Sequence, residues 1–529
     1  MVIDYIIIGL YALSMVAIAI YTRNRSKSVN DFLLAGKKGL NGWMSAFAYG
    51  TTYFSAVIFI GYAGKFGAEY GLASVWIGVG NAILGSLIAW IVLAKRTKNM
   101  THRLQSKTMP EFFEKRYDSK ALKYVTAVII FLFLIPYSAS VYNGLSSLFG
   151  IVFNIPGWVI MLALAAITAL YLFFGGYFAT ALSDFIQGII MIIGVVAMVL
   201  CFMFHSNVNW DLSSLINNPE LNWLIFDSAK GGIYGNAVSL VSLILLTSFG
   251  VWALPQTVHK YHSLRDDKAI KQGTIVSTAF ALIIGFGAYF TGALSSLFPQ
   301  FAQVGADNII PNMLALVIPT GLIGVIAVLI LSASMSTLSS VSLASASVVA
   351  IDLYKGKFDP KASDKKVNTI MRVLCIGFIV ISVVLAILNE QFKISAIAYL
   401  MGLSWGTLAG CFIGPFVLGV VWKRVTKPAV WTSIIGSLAL TVILIFVFGY
   451  DKNGWACDFA AALQTGINCS PLIGVICMAF SLIATVVVSL FTAPPKAQVV
   501  ELAFTDKVEN EEKFDENNET VENIGEIEQ

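Results

Sequence analysis

The hydrophobic positions of this chain fall into apolar runs of about 20 residues separated by short polar segments, the length an α-helix needs to cross a bilayer core. Thirteen spans are predicted, at approximately 3–22, 42–66, 72–94, 122–150, 156–175, 180–205, 236–257, 273–299, 319–350, 368–388, 395–422, 429–449 and 471–492. In hydrocarbon every backbone amide and carbonyl must be paired within the protein, which runs this long achieve as helices. The expected fold is therefore all-α and polytopic. Two spans look breakable. The second carries Tyr49-Gly50-Thr51-Thr52-Tyr53-Phe54-Ser55-Ala56, polar and glycine-containing at its middle. In Phe249-Gly250-Val251-Trp252-Ala253-Leu254-Pro255-Gln256 of the seventh, Pro255 lacks an amide donor and disfavours helix just before it. Breaks at matching places in two five-helix halves (about 42–205 and 236–422) point to an inverted-repeat transporter.

The ninth span continues from a greasy run into Ala333-Ser334-Met335-Ser336-Thr337-Leu338-Ser339-Ser340. Ala333, Ser336, Thr337 and Ser340 stand at i, i+3, i+4 and i+7 and share one helix face. An oxygen-rich face without carboxylates suits a partly dehydrated monovalent cation. A small-residue face that lets two helices approach closely has the same pattern. Asp184, near the start of the sixth span, is either an interfacial helix-starting carboxylate or a functional group inside the membrane. No Lys or Arg is expected deep in a span to neutralise it.

Charge supports the span assignment. Only 12% of the 529 residues are charged and 57% are hydrophobic, against about 25% charged in soluble domains. With the N-terminus outside and the C-terminus cytoplasmic, all but four of the 34 Lys and Arg residues fall on the inner side. The exceptions are Lys65, Lys230, Lys393 and Lys452. The net charge of +4 thus reflects topology, and nucleic acid is not an expected partner. The first span lacks the positive N-terminal flank of a cleaved signal. The transmembrane domain is expected over 1–494, and a disordered acidic cytoplasmic tail over 495–529. From Glu501 onward that tail holds eleven acidic residues against Lys507 and Lys513. Cys457 and Cys469 share an outer loop, as a disulfide or as free thiols. The spacing of Cys and His matches no zinc site, and no acid/base pair or nucleophile stands within the spans, so an enzyme is not expected.

Several segments resemble the sodium:solute symporter family, the group of the bacterial sodium/proline and sodium/galactose symporters. They are Val29-Asn30-Asp31-Phe32-Leu33-Leu34-Ala35-Gly36, Leu72-Ala73-Ser74-Val75-Trp76-Ile77-Gly78, Thr108-Met109-Pro110-Glu111-Phe112-Phe113, Ser183-Asp184-Phe185-Ile186-Gln187 and Ala350-Ile351-Asp352-Leu353-Tyr354-Lys355. The resemblance implies a LeuT-type core of spans 2–11 and a sodium ion between the second and ninth spans. Its ligands would be the carbonyls of Thr51, Phe54 and Ala333 and the hydroxyls of Ser336 and Thr337. Some members have a second sodium site, whose pattern matches Asp184, Ser336, Ser339 and Ser340. The implied activity is symport of a small organic solute with sodium by a multi-pass protein of the plasma membrane (the inner membrane of a bacterial cell), working as a monomer.

The solute is less defined. The positions expected to face it are Tyr53, Ser55, Ile58, Thr247, Val251, Pro255 and Gln256. Sugar carriers have Gln and Glu where this chain has Ile58 and Gly78. Proline carriers have Asp, Trp and Tyr at Tyr53, Thr247 and Val251, and sialic-acid carriers a fourth-span Arg that is absent here. An amino-acid-like solute comes first on overall resemblance. A neutral sugar or polyol, sialic acid or a small monocarboxylate follows, and a sodium-responsive sensor or channel-like protein is the alternative of another class.

Overall fold

The structure, a computed structural model, describes residues 2–23, 28–34, 40–218, 221–222, 236–392, 396–454 and 457–505. Lys230, Lys393, the Ala35-Gly36 end of the first family-like segment and residues 506–529 of the acidic tail lie outside these. Among the described residues every extended element is helical. The elements that build the site are α1 (Val2–Thr22), α2 (Gly42–Tyr53), α3 (Lys120–Phe153), α4 (Gly157–Phe204), α5 (Asn236–Phe249), α6 (Pro255–His262), α7 (Leu322–Ser347), α8 (Ile397–Ile413) and α9 (Ala497–Phe504).

Burial separates centre from rim. The span containing α7 and the span containing α8 are each 89% buried over their most apolar window, whereas α1 is 28% buried. A helix apolar all round is suited to an interior, and its small Ser and Ala residues let neighbours pack close. The amide groups at the start of α7 have no partners within the helix. They are capped from α1, where the Asp4 carboxylate accepts from the amides of Gly321 (2.8 Å) and Gly324 (3.0 Å).

Both expected breaks are present. α2 ends at Tyr53, Phe54 is extended (φ −107°, ψ 118°), and helical structure resumes at Ala56 and Val57. In the seventh span Leu254 is extended immediately before Pro255, and the two halves meet at a bend of 47°. Proline at the first position of α6 gives up an amide that would have had no partner there.

Among the described residues ten helices can cross a membrane by length and composition, or eleven with the bent pair, fewer than the thirteen expected. The difference concentrates in two very long runs, Val57–Arg103 and Gly157–Phe204. At 1.5 Å per residue each would extend about 70 Å if straight, over twice a bilayer core of ~30 Å. Both pass through a glycine with left-handed φ: Gly71 (φ 53°, ψ −134°) and Gly176 (φ 58°, ψ −154°). The chain turns there while helical hydrogen bonding continues on either side, so a length criterion joins segments that the sequence separates.

One expectation is corrected, and one left open is decided. The chain beyond 495 does not lose structure at once, because α9 forms and docks. Ala503 is fully buried, and its carbonyl accepts from Arg103 (3.2 Å). Arg116 lies over the Phe504 ring (5.0 Å). Just before α9, Lys496 bonds to Asp118 (2.7 Å) and holds that carboxyl below its usual range. The apolar positions Val499, Val500, Leu502, Ala503 and Phe504 are what an acidity count over the whole tail conceals. Cys457 and Cys469 are free thiols, and the Cys469 thiol donates to the Thr465 carbonyl (3.3 Å).

Candidate ion and solute sites

The α2 break brings backbone oxygen to the face of α7. A helix that stops leaves its last carbonyls without amide partners, and here hydroxyls supply them. Ser336 donates to Thr51 O (2.8 Å) and Ala333 O (3.1 Å). Thr337 donates to Thr52 O (3.3 Å) and Ala333 O (3.1 Å). Past the break, the Ala56 amide donates to the Ser334 hydroxyl (3.2 Å). Thr51, Ala333, Ser336 and Thr337 therefore converge. Phe54 is fully buried beside them, its amide turned back to Gly50 O. The donor set is neutral oxygen, sealed from solvent, and fits a hard monovalent cation. No group of three or more His, Cys, Asp or Glu side chains suited to a metal occurs among the described residues.

The second expected set is arranged differently. Asp184 and Ser340 are close, but the group between them is Lys260. Its Nζ stands 3.3 Å from Asp184 Oδ2 and donates to Ser340 Oγ (2.9 Å). Both charged side chains are almost wholly buried. The expectation that no basic residue reaches a buried anion is thus wrong. The seventh span does not end at 257; α6 carries on to His262, and Lys260 is in its last turn. Ser339 and Ser336 do not bond to this pair. The Ser339 hydroxyl donates to Ser336 O (2.9 Å), and Ser336 faces the first set.

Next to the break lies an aromatic chamber. The Tyr53 hydroxyl donates to Thr247 O (2.6 Å), joining the break to α5, and its ring stands 6.0 Å from that of Trp405 on α8. The Thr247 hydroxyl donates to Asn81 Oδ1 (2.7 Å). Tyr137 of α3 packs edge-on against Trp405 (5.6 Å), its hydroxyl beside Ser55 and Thr337. Pro136, just before it, breaks the amide ladder of α3, and nearby Ser404 of α8 donates to the Phe133 carbonyl. Five buried donors make no well-formed hydrogen bond to a described group: Tyr137 OH and Trp405 Nε1, which stand beside each other, Asn81 Nδ2 and Tyr289 OH, likewise neighbours, and Ser138 Oγ. Unpaired buried donors cost free energy unless something accepts from them.

Of the remaining expected solute positions, Ser55 lies in the break and accepts from the Val57 amide (3.3 Å). Ile58 is buried in the π-helical turn that follows. The Val251 carbonyl accepts from Thr257 (2.9 Å), which braces the second break. Pro255 opens α6, and Gln256 beside it keeps a buried, unpartnered Oε1. The sequence reading missed Lys260, Asn81, Tyr137, Tyr289 and Trp405. Apart from Lys260, whose signal was its place five residues after Pro255, these are ordinary interior residues until their partners are known.

A cavity of about 330 Å³ opens near the start of α5, lined by residues that include Lys65, Glu69, Ser239, Leu243 and Tyr399. Leu243 is one turn from Thr247, so the cavity floor adjoins the chamber. At the other end of the bundle the elements are tied together. Lys123 bonds to Glu114 (2.9 Å) and lies 3.7 Å from both Glu111 and Asp352. Thr108 donates to both carboxylate oxygens of the fully buried Asp352 (3.0 and 2.8 Å).

The model of the sodium:solute symporter family matches residues 32–436. The osmoregulated proline transporter OpuE of Bacillus subtilis (strain 168) is 29% identical over 455 residues, 84% of this chain and 89% of that protein. The sodium/proline symporter of Escherichia coli (strain K12) is 27% identical over 458 residues, 83% and 87% of the two chains. A Na+-coupled sialic acid symporter, solved substrate-bound and outward-open, superposes with a TM-score of 0.73 at 20% identity, over 93% of this chain and 98% of that one. The structural likeness establishes a LeuT-type fold.

Proposed function

Because this chain belongs to the sodium:solute symporter family, we propose that it is a sodium-coupled symporter that imports a small polar solute, an amino acid of the proline type first. The observation carrying this reading is the set formed by Thr51, Ala333, Ser336 and Thr337, where uncharged oxygens from a broken helix and a central helix meet in a dry interior. The hydroxyls give their hydrogens to the carbonyls. Sodium entering there would turn their lone pairs inward and draw both helices onto one charge. Thr337 also borders the Tyr137 hydroxyl, so ion and solute would share a wall.

The donor excess of the chamber supports a solute rich in acceptors, such as a carboxylate. The carboxylate of a zwitterion would meet Tyr137, Trp405 and the ion, and its ring or chain would meet Tyr53. The relatives named for proline support the same choice. In this reading the N-terminus is outside, the C-terminus is in the cytoplasm and the single chain is the working unit in the plasma membrane.

Uptake by the full-length protein in proteoliposomes tests this. Radiolabelled proline should accumulate above its external concentration under an inward sodium gradient, but not with choline. Competition by galactose, pantothenate, sialic acid and lactate ranks the other cargoes. Accumulation driven by protons alone would overturn the sodium assignment. Sodium binding without movement of any solute would favour a sensor.

A further inference from the structure

Asp184 and Ser340, half of the expected second sodium set, already hold a cation that the chain supplies itself. The geometry points to Lys260 as a tethered substitute for a second coupling ion: its ammonium fills the Asp184–Ser340 position, so this chain takes one sodium ion, beside Ser336 and Thr337, and not two. The count of one rests on the symport reading above; the occupancy by Lys260 stands on its own contacts.

Charge and coordination come first. An ammonium carries the same single charge as sodium, and it meets one anionic and one neutral oxygen here, Asp184 Oδ2 at 3.3 Å and Ser340 Oγ at 2.9 Å. Ser340 is further engaged by the Thr52 hydroxyl (3.0 Å), which itself donates to Ala48 O (2.7 Å). An ion arriving at these oxygens would have to displace the ammonium, since two cations cannot share one carboxylate edge in a dry interior without strong repulsion.

Burial is the second observation. The Lys260 side chain is 1% exposed, and the Tyr177 ring lies 5.2 Å from its nitrogen, a cation–π contact that helps hold a desolvated charge. A buried ion pair is stable only with both members present, because removing one strands the other. An ionised Asp184 thus requires a cation beside it, and Lys260 is placed to be that cation.

Attachment is the third. A sodium ion can leave by diffusion, whereas Lys260 can leave Asp184 only if α6 moves. α6 is the second half of a span that is bent by 47° at Leu254. The pair therefore ties the position of this half-helix to the centre of α4 and to Ser340 of α7, and an ion that came and went would not.

Binding of radioactive sodium to the purified full-length protein, without solute, tests the inference. Wild type should bind one ion per chain, lost in Ser336→Ala. Lys260→Met, close in length but uncharged, should bind one more than wild type. Lys260→Met/Asp184→Asn should not gain an ion, because the anion that would attract it is gone. Melting temperatures give an independent reading: exchanging choline for sodium should raise that of Lys260→Met more than that of wild type or the double variant.

Two ions bound by wild type, or no gain in Lys260→Met, would overturn the inference. So would a Lys260→Met chain that aggregates even in sodium while the double variant is recovered folded, since sodium then cannot replace the ammonium. Failure of the symport reading looks different. Wild type would lack the Ser336-dependent ion, while the gain in Lys260→Met over wild type would persist.

Discussion

The Ser336 hydroxyl sits between two carbonyls, Thr51 O and Ala333 O. Replacing it with hydrogen leaves carbonyl oxygens facing one another and takes one oxygen from the ion. A hydrogen bond or ligand contact to a charged group contributes about 1.5–3 kcal/mol. Ser336→Ala or Thr337→Ala should therefore raise the half-saturating sodium concentration ~10- to 100-fold, measured as sodium-dependent uptake, while Thr337→Ser should stay near wild type. Tyr137 makes the opposite case. Its hydroxyl makes no close hydrogen bond, with Thr337, Ser55 and Trp405 beside it, so Tyr137→Phe removes no well-formed internal bond. The melting temperature should hold or rise, and the KM for solute should increase about tenfold, the equivalent of one lost hydrogen bond of ~1.4 kcal/mol. A fall in stability with unchanged KM would make Tyr137 a packing residue. These residues also show what single positions disclose. Ser336 and Thr337 stand out in sequence because hydroxyls are anomalous in a greasy run. Tyr137 and Trp405 do not, because an unpaired donor is defined only by neighbours from other helices.

At the scale of elements, the breaks were legible and the long helices less so. Pro255 has a local mechanism that acts through the residue before it, and Leu254 is extended as that mechanism requires. The α2 break lacks a proline and is sustained from outside, by Ser336, Thr337 and Ser334 of α7. The end of the seventh span was misjudged because Lys260 and His262 look like loop residues by charge, although α6 continues through them. Gly176 sets the corner between the two halves of α4, at φ 58° and ψ −154°, a region closed to residues with a Cβ. A Cβ built there would lie 2.7 Å from the Phe32 ring and 3.0 Å from its carbonyl. Gly176→Ala should thus cost ~1–3 kcal/mol through the backbone alone, with the clash adding to it. Thermal melting of the detergent-solubilised protein checks this, with Gly9→Ala, in open space on α1, as the control.

Across the whole molecule, the seventh span traces a route from one end of the bundle to the other. Ser239 and Leu243 line the cavity of about 330 Å³, Thr247 meets Tyr53 in the aromatic chamber, and Lys260 closes on Asp184 beyond the break. The first end is accessible. The other is fastened by Lys260–Asp184 and by Lys123 with Glu111, Glu114 and Asp352. This asymmetry is that of a transporter open on one side, and in the topology proposed above the open side is the outside. The charge bias was readable from sequence because it belongs to loops. Which end is open was not, because that depends on contacts between spans. Ser239→Cys, in a Cys457→Ser/Cys469→Ser background, should react in intact cells with a membrane-impermeant maleimide. Saturating solute with sodium should slow the reaction several-fold as the cavity closes over its cargo. His102→Cys, exposed at the fastened end, should stay unlabelled until the cells are opened. Labelling of position 102 but not 239 from outside would invert the topology, and a rate at 239 indifferent to solute and sodium together would separate this cavity from the transport route.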